Sequence, residues 1–213
     1  MIILHHLDNS RSLRILWLLE ELELPYDLVE HKRDAVTRLA PASLEAVHAL
    51  GKAPVLVDGN RTIVESGAII DYIIRRYGDG RLAPPPDSAA YDAYQIWLHY
   101  VEGSAMLPMM LNLYVSILGG ESPALRARID GELARHLGFI EASLAGRTFL
   151  VGESLSGADI QLGFLAELLS ASPLGANYPS IATWLARLQG RPAYRRAVQR
   201  GGRNVLSFRR ATS

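Results

Sequence analysis

The chain has 213 residues, of which 49% are apolar and 21% are charged, and its 22 basic residues balance 22 acidic ones. Zero net charge provides no general attraction for nucleic acid or an anionic membrane. The absence of cysteine excludes disulfides, cysteine-ligated metals and a protein-borne thiol nucleophile. The N-terminus lacks a basic segment and no apolar run approaches the ~20 residues of a membrane span, so we expect a cytoplasmic location.

The first part of the chain alternates short apolar runs with helical patterns. Residues 2–6 are apolar and β-branched and predict a short buried strand, and residues 26–31 can form a second strand. Residues 12–23 predict a helix that is apolar on nearly every side and therefore buried on more than one face. Residues 34–50 are rich in alanine and predict a loose helix. A strand–helix–strand unit of this kind places its two strands in parallel.

Residues 53–64 contain the clearest local pattern. Two β-rich runs flank Asp58-Gly59-Asn60, which predicts a tight hairpin. Glu65-Ser66-Gly67 then opens a helix that ends near Gly78. Together with the first two strands, the hairpin predicts a mixed four-stranded sheet with helices on its faces.

The remainder of the chain is helical in pattern. Residues 79–88 are rich in Gly and Pro and indicate a linker. We therefore expect an α/β domain over residues 1–78 and an all-helical domain over residues 89–213. The long helix 90–118 contains Pro108, which removes a backbone hydrogen bond and predicts a bend just before it.

Basic residues are concentrated at the C-terminus. Glu167 is the last acidic residue, and the eight arginines after it include Arg195, Arg196, Arg200, Arg203, Arg209 and Arg210. These arginines predict either a solvated face on the terminal helices or a basic rim that attracts an anionic ligand.

Two short motifs flank the hairpin. In Lys52-Ala53-Pro54-Val55, a proline heads an antiparallel strand, where it cannot donate to the ladder and must lie at a strand start or edge. In Glu65-Ser66-Gly67, the serine hydroxyl and the exposed N–H groups of a first helical turn can hold a carboxylate. Taken singly, the motifs are also those of a hairpin start and a helix cap.

These motifs, their spacing and the order of elements resemble the cytosolic glutathione transferases over essentially the whole chain. The N-terminal string from Leu7 to Glu20 is similar to a bacterial and fungal serine-type group of that family. The resemblance implies a thioredoxin-like first domain that binds glutathione as co-substrate and a second domain that holds an apolar electrophile. It also implies a cis bond before Pro54. The implied glutathione ligands in this domain are Lys52, Ala53, Pro54, Glu65 and Ser66.

The resemblance further implies which hydroxyl activates the thiol of glutathione. Serine-using classes keep their catalytic serine at the position of Ser10, and Asn9 is a second candidate donor. Tyrosine-using classes place their tyrosine close to the N-terminus, whereas the first tyrosine here is Tyr26. His5 and His6 fall within the first strand, and we interpret them as sheet residues.

Two patterns in the second domain match the family less specifically. Ser156-Gly157-Ala158-Asp159 forms a capping box at the start of a core helix, which is a folding element. A Met-rich stripe on the long helix predicts either core packing or an adaptable pocket wall for the co-substrate. The residues of this stripe are Met106, Leu107, Met109, Met110, Leu113, Tyr114 and Ile117.

The family pairs two subunits, so the resemblance implies a homodimer in which Glu102 reaches the ammonium of the glutathione bound by the partner. No nucleic-acid or membrane partner is expected. Two alternatives stay open: a glutathione-dependent disulfide or peroxide reductase, and a non-catalytic ligand-binding or partner-binding protein. Retention of Pro54, Glu65 and Ser66 favours an active enzyme over the second alternative.

Overall fold

The computed structural model describes residues 1–119 and 122–204. The described chain divides into two units. The first comprises Met1–Ala83 together with the described residues from Gln189 onward, and the second comprises Pro84–Leu188. The boundary after Ala83 falls inside the predicted linker.

The first unit contains the predicted mixed four-stranded sheet, which confirms the expected fold class. Its strands lie in the order β2-β1-β3-β4, with β1 and β2 parallel and the other two pairs antiparallel. A two-residue loop joins β3 to β4, and Gly59 there has a φ of 61°, which favours glycine. The elements of this part are β1 (Ile2–Leu7), α1 (Ser12–Glu21), β2 (Tyr26–His31), α2 (Ala42–Glu45), β3 (Val55–Asp58), β4 (Arg61–Val64) and α3 (Ser66–Tyr77).

Helix α1 is the centre of the first unit. Every side chain from Ser12 to Leu19 is buried, as expected for a helix that is apolar on nearly every side. The helix contacts β1, α3 and a C-terminal helix, α9 (Pro192–Gly201). Contacts on several sides explain why its sequence lacks the polar face of a surface helix.

Helix α9 belongs to the first unit, whereas the sequence placed all residues from 89 to 213 in the helical domain. Two glutamates at the end of α1 hold it: Arg191 binds Glu21 through two bonds of 2.6 and 2.9 Å, and Arg196 binds Glu20 at 2.7 Å. These ion pairs join residues about 170 positions apart. Nothing local in the sequence indicates which unit a terminal helix will cover.

Three of the C-terminal arginines, Arg191, Arg196 and Arg200, have partners on α1. Arg200 also approaches Glu20, at 3.4 Å, and lies over the ring of Tyr26 at 4.2 Å from its centroid. Arg209 and Arg210 lie outside the described residues. For the arginines that pair with α1, the interpretation as a basic rim for an anionic ligand is not needed.

The loose helix predicted over residues 34–50 is wrong for most of its length, because only Ala42–Glu45 is helical. Asp34 caps a turn by accepting from the N–H of Thr37 at 2.7 Å, and Pro41 precedes the helix. Leu44 is fully buried in a cluster with residues of β1 and β3. The conformation of this segment is therefore set by packing on the core rather than by local helix propensity.

The secondary-structure elements described in the second unit are all helices. Between α4 and α5 lies one π-helical turn, Val101–Ala105, at the place where Pro108 predicts a bend. Pro108 has no N–H for the carbonyl of Ser104, and the wider turn accommodates that missing bond. The α-helices here are α4 (Ala89–Tyr100), α5 (Met106–Leu118), α6 (Pro123–Leu144), α7 (Gly157–Ser170) and α8 (Pro179–Gln189).

The continuous helix Ala89–Leu118 is long and apolar enough to span a membrane by length and composition alone. The sequence expectation that no run approaches that length was therefore too strong. Of its most apolar 18-residue window, 39% is buried inside the protein, and buried core helices commonly meet the same criteria. This helix is weak evidence for a membrane span.

The Met-rich stripe divides into two parts. Met106, Met109 and Leu113 are buried and form core, whereas Leu107 and Ile117 are more than half exposed. The buried residues therefore fit the predicted role in core packing, and the exposed ones fit the predicted role as a pocket wall. The two sets lie on different sides of α5.

Candidate functional site

The turn after β1 is held by a residue that follows β2. Asn9 has a φ of 50°, a left-handed conformation that asparagine tolerates. The guanidinium of Arg33 donates to the carbonyl oxygens of Asp8 at 3.0 Å and Asn9 at 3.1 Å. The Asp8 carboxylate in turn accepts the Arg33 backbone N–H at 2.8 Å. These bonds position the segment that carries Ser10.

Ser10 lies in a buried hydrogen-bond network rather than on an open helix end. Its Oγ is 2.8 Å from the Leu7 carbonyl oxygen and 2.7 Å from Ser12 Oγ, and it is only 6% exposed. Ser12 Oγ is 2.8 Å from His6 Nδ1. Arg11, not Ser10, is the residue immediately flanking α1, and its side chain makes no capping bond. The hydroxyl of Ser10 is therefore already partnered within the protein.

Pro54 stands immediately before β3 and follows a cis peptide bond with Ala53, as the resemblance implies. Val55 pairs with His5 on one side and with Val64 on the other, so β3 begins in the middle of the sheet. Lys52 is exposed and Ala53 is half-buried. The backbone before Pro54 therefore reaches the surface at the end of the sheet where β1 ends.

The start of α3 combines backbone strain with a buried cation. Glu65 has φ 69° and ψ 115°, a sparsely populated conformation for a residue with a side chain. Its own side chain is exposed, whereas the hydroxyl of Ser66 is buried and accepts from Arg14 Nη1 at 3.1 Å. Arg14 is 3% exposed. A hydroxyl, a helix N-terminus and a positive charge therefore coincide, which suits a carboxylate.

Among residues 1–119 and 122–204, no three His, Cys, Asp or Glu side chains are grouped to hold a metal ion. Because the sequence has no cysteine, a thiol for nucleophilic chemistry must come from a bound molecule.

Comparisons with known proteins identify the family. The Glutathione S-transferase N-terminal domain matches residues 4–85, and the Glutathione S-transferase C-terminal domain matches residues 104–192. Glutathione S-transferase 3 of Schizosaccharomyces pombe is 32% identical over 98% of this chain and 91% of its own length. The chain belongs to the glutathione S-transferase family. The transferase is also 30% identical to Glutathione S-transferase 1 of Saccharomyces cerevisiae, over 89% of this chain and 91% of that protein.

Solved structures agree with this assignment. The transferase matches a glutathione S-transferase from Actinobacillus pleuropneumoniae with a TM-score of 0.86 and 36% identity, covering 94% of this chain and 93% of the other. A sphingomonad glutathione S-transferase solved with glutathione shares the fold, with a TM-score of 0.77 at 24% identity and coverage of 94% and 98%. As a family member the chain is an enzyme, and the matches do not favour the reductase or the non-catalytic alternative.

The structure also adds residues that sequence reasoning missed. His6 was interpreted as a sheet residue; it lies in β1, but its ring joins the Ser10 network through Ser12. Arg14 carried no predicted role. Nothing in the sequence signals these contacts, because each depends on two elements meeting. Glu102 lies in the π-helical turn of the second unit.

Proposed function

We propose that the transferase ionises the thiol of glutathione beside Ser10 and joins it to apolar electrophiles, as a cytoplasmic homodimer. The observation that supports this most strongly is the start of α3, where buried Arg14 donates to Ser66 Oγ at 3.1 Å. That arrangement has the charge and donors to take an α-amino acid carboxylate, which glutathione carries on its γ-glutamyl residue.

The γ-glutamyl end of glutathione is bound by α3. Because Ser66 Oγ accepts from Arg14, its own hydrogen can donate to the ligand carboxylate. N–H groups of the first turn of α3 add to this. The exposed Glu65 carboxylate takes the ammonium group. Its strained backbone conformation is the kind that persists at ligand sites.

The rest of the tripeptide runs along the segment before β3. The backbone of Ala53 pairs with the cysteinyl residue, since Pro54 ends that segment immediately before β3. The exposed ammonium of Lys52 is a partner for the glycyl carboxylate. This binding mode directs the thiol toward the turn that carries Asn9 and Ser10.

Thiol activation is assigned to Ser10, with Asn9 as the second donor. The thiolate is the nucleophile, and a free thiol of pKa ~8.5 is only a few per cent ionised at pH 7. A hydroxyl donor and the positive end of α1 both stabilise the thiolate more than the thiol. The co-substrate is an apolar electrophile, for which the exposed Leu107 and Ile117 on α5 offer apolar surface.

The homodimer and the role of Glu102 are part of the same proposal. Two-fold dimers are the commonest oligomers, and the carboxylate of Glu102 is a suitable partner for a glutathione ammonium. Light scattering at micromolar concentration should give twice the chain mass. A monomer mass with full activity would remove both assignments.

Calorimetry tests the glutathione site. Ser66→Ala should weaken glutathione binding by about 1.5–3 kcal/mol, the usual contribution of a hydrogen bond to a charged group. Ser143→Ala, which removes a hydroxyl that bonds the Phe139 carbonyl on α6, is the matched control and should bind normally. Unchanged affinity in both Ser66→Ala and Glu65→Ala would contradict the site.

The pH profile of conjugation tests Ser10. Ser10→Ala should lower turnover by about 10²-fold, by analogy with the loss of one oxyanion donor. Binding should change less, because the donor acts mainly on the anion. If the profiles of Ser10→Ala and Asn9→Ala both overlay the wild type, neither side chain activates the thiol.

A further inference from the structure

A chain of polar groups links the turn after β1 to the last residue of α9. Ser10 Oγ lies 2.7 Å from Ser12 Oγ, which lies 2.8 Å from His6 Nδ1. On the other side of the ring, His6 Nε2 lies 2.8 Å from the carbonyl oxygen of Gly201. Ser10, Ser12 and His6 are at most 6% exposed, so the chain runs inside the protein.

The hydrogen-bond partners restrict where the hydrogen atoms of these groups can point. A carbonyl only accepts, so Gly201 fixes the hydrogen of the neutral His6 ring on Nε2, and Nδ1 is an acceptor for the Ser12 hydroxyl, whose other acceptor is the Leu7 carbonyl at 3.1 Å. Ser12 Oγ also accepts the Leu7 N–H at 3.1 Å. The hydroxyl hydrogen of Ser10 therefore points inward, to Ser12 Oγ or to the Leu7 carbonyl.

The contact between His6 and residue 201 also requires a glycine, because a side chain does not fit there. A Cβ atom at this position would lie 3.0 Å from both His6 Cε1 and His6 Nε2, and 2.6 Å from Leu16 Cδ2. Contacts this short would displace the ring. The close approach of α9 to β1 thus depends on a residue without a side chain, and it sets the tautomer of His6.

Several groups face the His6 ring and influence its charge. Burial lowers the pKa of His6, whereas the Gly201 carbonyl, Glu30 and Asp8 raise it, and His31 lowers it again. Because the pKa of His6 lies below its ordinary value, the ring is neutral at pH 7 and can accept a proton. The carbonyl and the two carboxylates are then in position to stabilise the charged ring.

We propose that His6 receives the thiol proton of glutathione through a relay of Ser10 and Ser12. The inference rests on the proposed role of Ser10. The S–H bond breaks as Ser10 Oγ takes the proton, the Ser10 hydrogen passes to Ser12 Oγ, and the Ser12 hydrogen passes to His6 Nδ1. The products are a thiolate and an imidazolium, and no other reactant is consumed.

The relay also explains how Ser10 comes to donate to the thiolate. Before the transfer, the hydroxyl hydrogen of Ser10 points inward. After the transfer, Ser10 Oγ carries the hydrogen that it received from sulfur, and this hydrogen points to the sulfur. The ordinary thiol pKa of ~8.5 lies about two units above the ordinary histidine pKa of ~6.5. Burial lowers the pKa of His6 further, so the factor against transfer is larger than about 10². Attraction between thiolate and imidazolium and the Ser10 hydrogen bond offset this factor. After attack, the proton returns along the chain to the leaving group or adduct.

Proton release on glutathione binding tests the relay in the intact protein. Thiolate formation is followed by ultraviolet absorbance, and the proton by an indicator dye in weakly buffered solution. In the wild type, thiolate should form with little release of protons. In His6→Asn, whose Oδ1 accepts from Ser12 but takes no proton, each thiolate formed should release one proton. Turnover of His6→Asn should fall by about 10²-fold, as for loss of a general base.

Ser12→Ala is the second variant, since it interrupts the relay while leaving both ends in place. It should also release a proton for each thiolate. Nitrogen-15 NMR of the wild type gives an independent readout: His6 should be the neutral Nε2–H tautomer without glutathione and an imidazolium with it.

The outcomes separate two failures. If glutathione binds and no thiolate absorbance appears, thiol ionisation, and with it the proposed function, is wrong. If thiolate appears in the wild type with one proton released to solvent, or if His6 stays neutral, the relay is wrong and thiol ionisation stands.

Discussion

The two most deeply buried helices, α1 and α7, begin in different ways. Helix α7 begins with a carboxylate that is fully buried: Asp159 accepts from the N–H of Leu150 and of Ser156, from Ser156 Oγ and from Trp184 Nε1. Burial raises the pKa of Asp159, while these hydrogen bonds lower it. Helix α1 has no carboxylate at its start and uses two serines and a histidine instead. A carboxylate that accepts four hydrogen bonds stabilises the fold. A chain of hydroxyl groups, by contrast, contains hydrogens that can be transferred.

The two networks also differ in how far along the chain they reach. The partners of Asp159 lie between Leu150 and Trp184, in the same helical unit. The network of α1 ends on Gly201, which is 195 positions from His6. Helix α7 is thus stabilised by its own neighbourhood, and α1 depends on the other end of the protein.

The largest expected effect is on the start of α7. Asp159→Ala leaves four buried donors without an acceptor and should lower the free energy of unfolding by about 3–5 kcal/mol, measured in urea. Asp130→Ala on α6, whose carboxylate is 61% exposed, is the control and should cost less than about 1 kcal/mol. Comparable losses in the two variants would contradict the role of the capping box.

The same substitution at both helix starts sharpens the comparison. Ser156→Ala should lower the free energy of unfolding by about 1 kcal/mol. Ser12→Ala should cost more, about 1–3 kcal/mol, because Ser12 Oγ also accepts the Leu7 N–H, which the substitution leaves without that partner. Only Ser12→Ala should lower turnover, because only this hydroxyl lies in the relay. Equal turnover in the two variants, measured on folded protein, would make both starts purely structural.

A smaller effect is expected where α9 closes onto α1. Glu21 is 8% exposed and accepts from Arg191 through two bonds and from Trp17 Nε1. Glu21→Gln should cost about 1 kcal/mol and speed hydrogen exchange in α9 more than in α7. Exposed Glu23→Gln is the control. Equal exchange in α7 and α9 would show that α9 is not held at this point.

The smallest expected effect is a change of the free energy of unfolding with pH. Burial holds the pKa of His6 below its ordinary value of about 6.5. The unfolded chain therefore binds a proton at higher pH than the folded one, and stability falls as pH drops from about 7 through 6.5. His5 and His31, with pKa values lowered by burial, add to the same slope. His6→Asn should flatten part of it, and exposed His99→Asn should not.

What could be read from the sequence is local in its physics. The hairpin around Gly59, the capping box of Ser156 and Asp159 and the start of α3 at Ser66 all depend on partners a few positions away. Turn and cap rules operate over that distance, so these features were predicted at the right residues. The loose helix over residues 34–50 failed because core contact through Leu44 outweighed local propensity.

The sequence by itself determined the family, the order of elements and the residues that stand before β3 and at the start of α3. Only the tertiary structure joined His6 to Gly201, Arg14 to Ser66, and α9 to α1. Periodicity and turn chemistry are set by neighbouring residues. Which buried side chains meet is decided by the packing of whole elements, whose partners lie far apart along the chain.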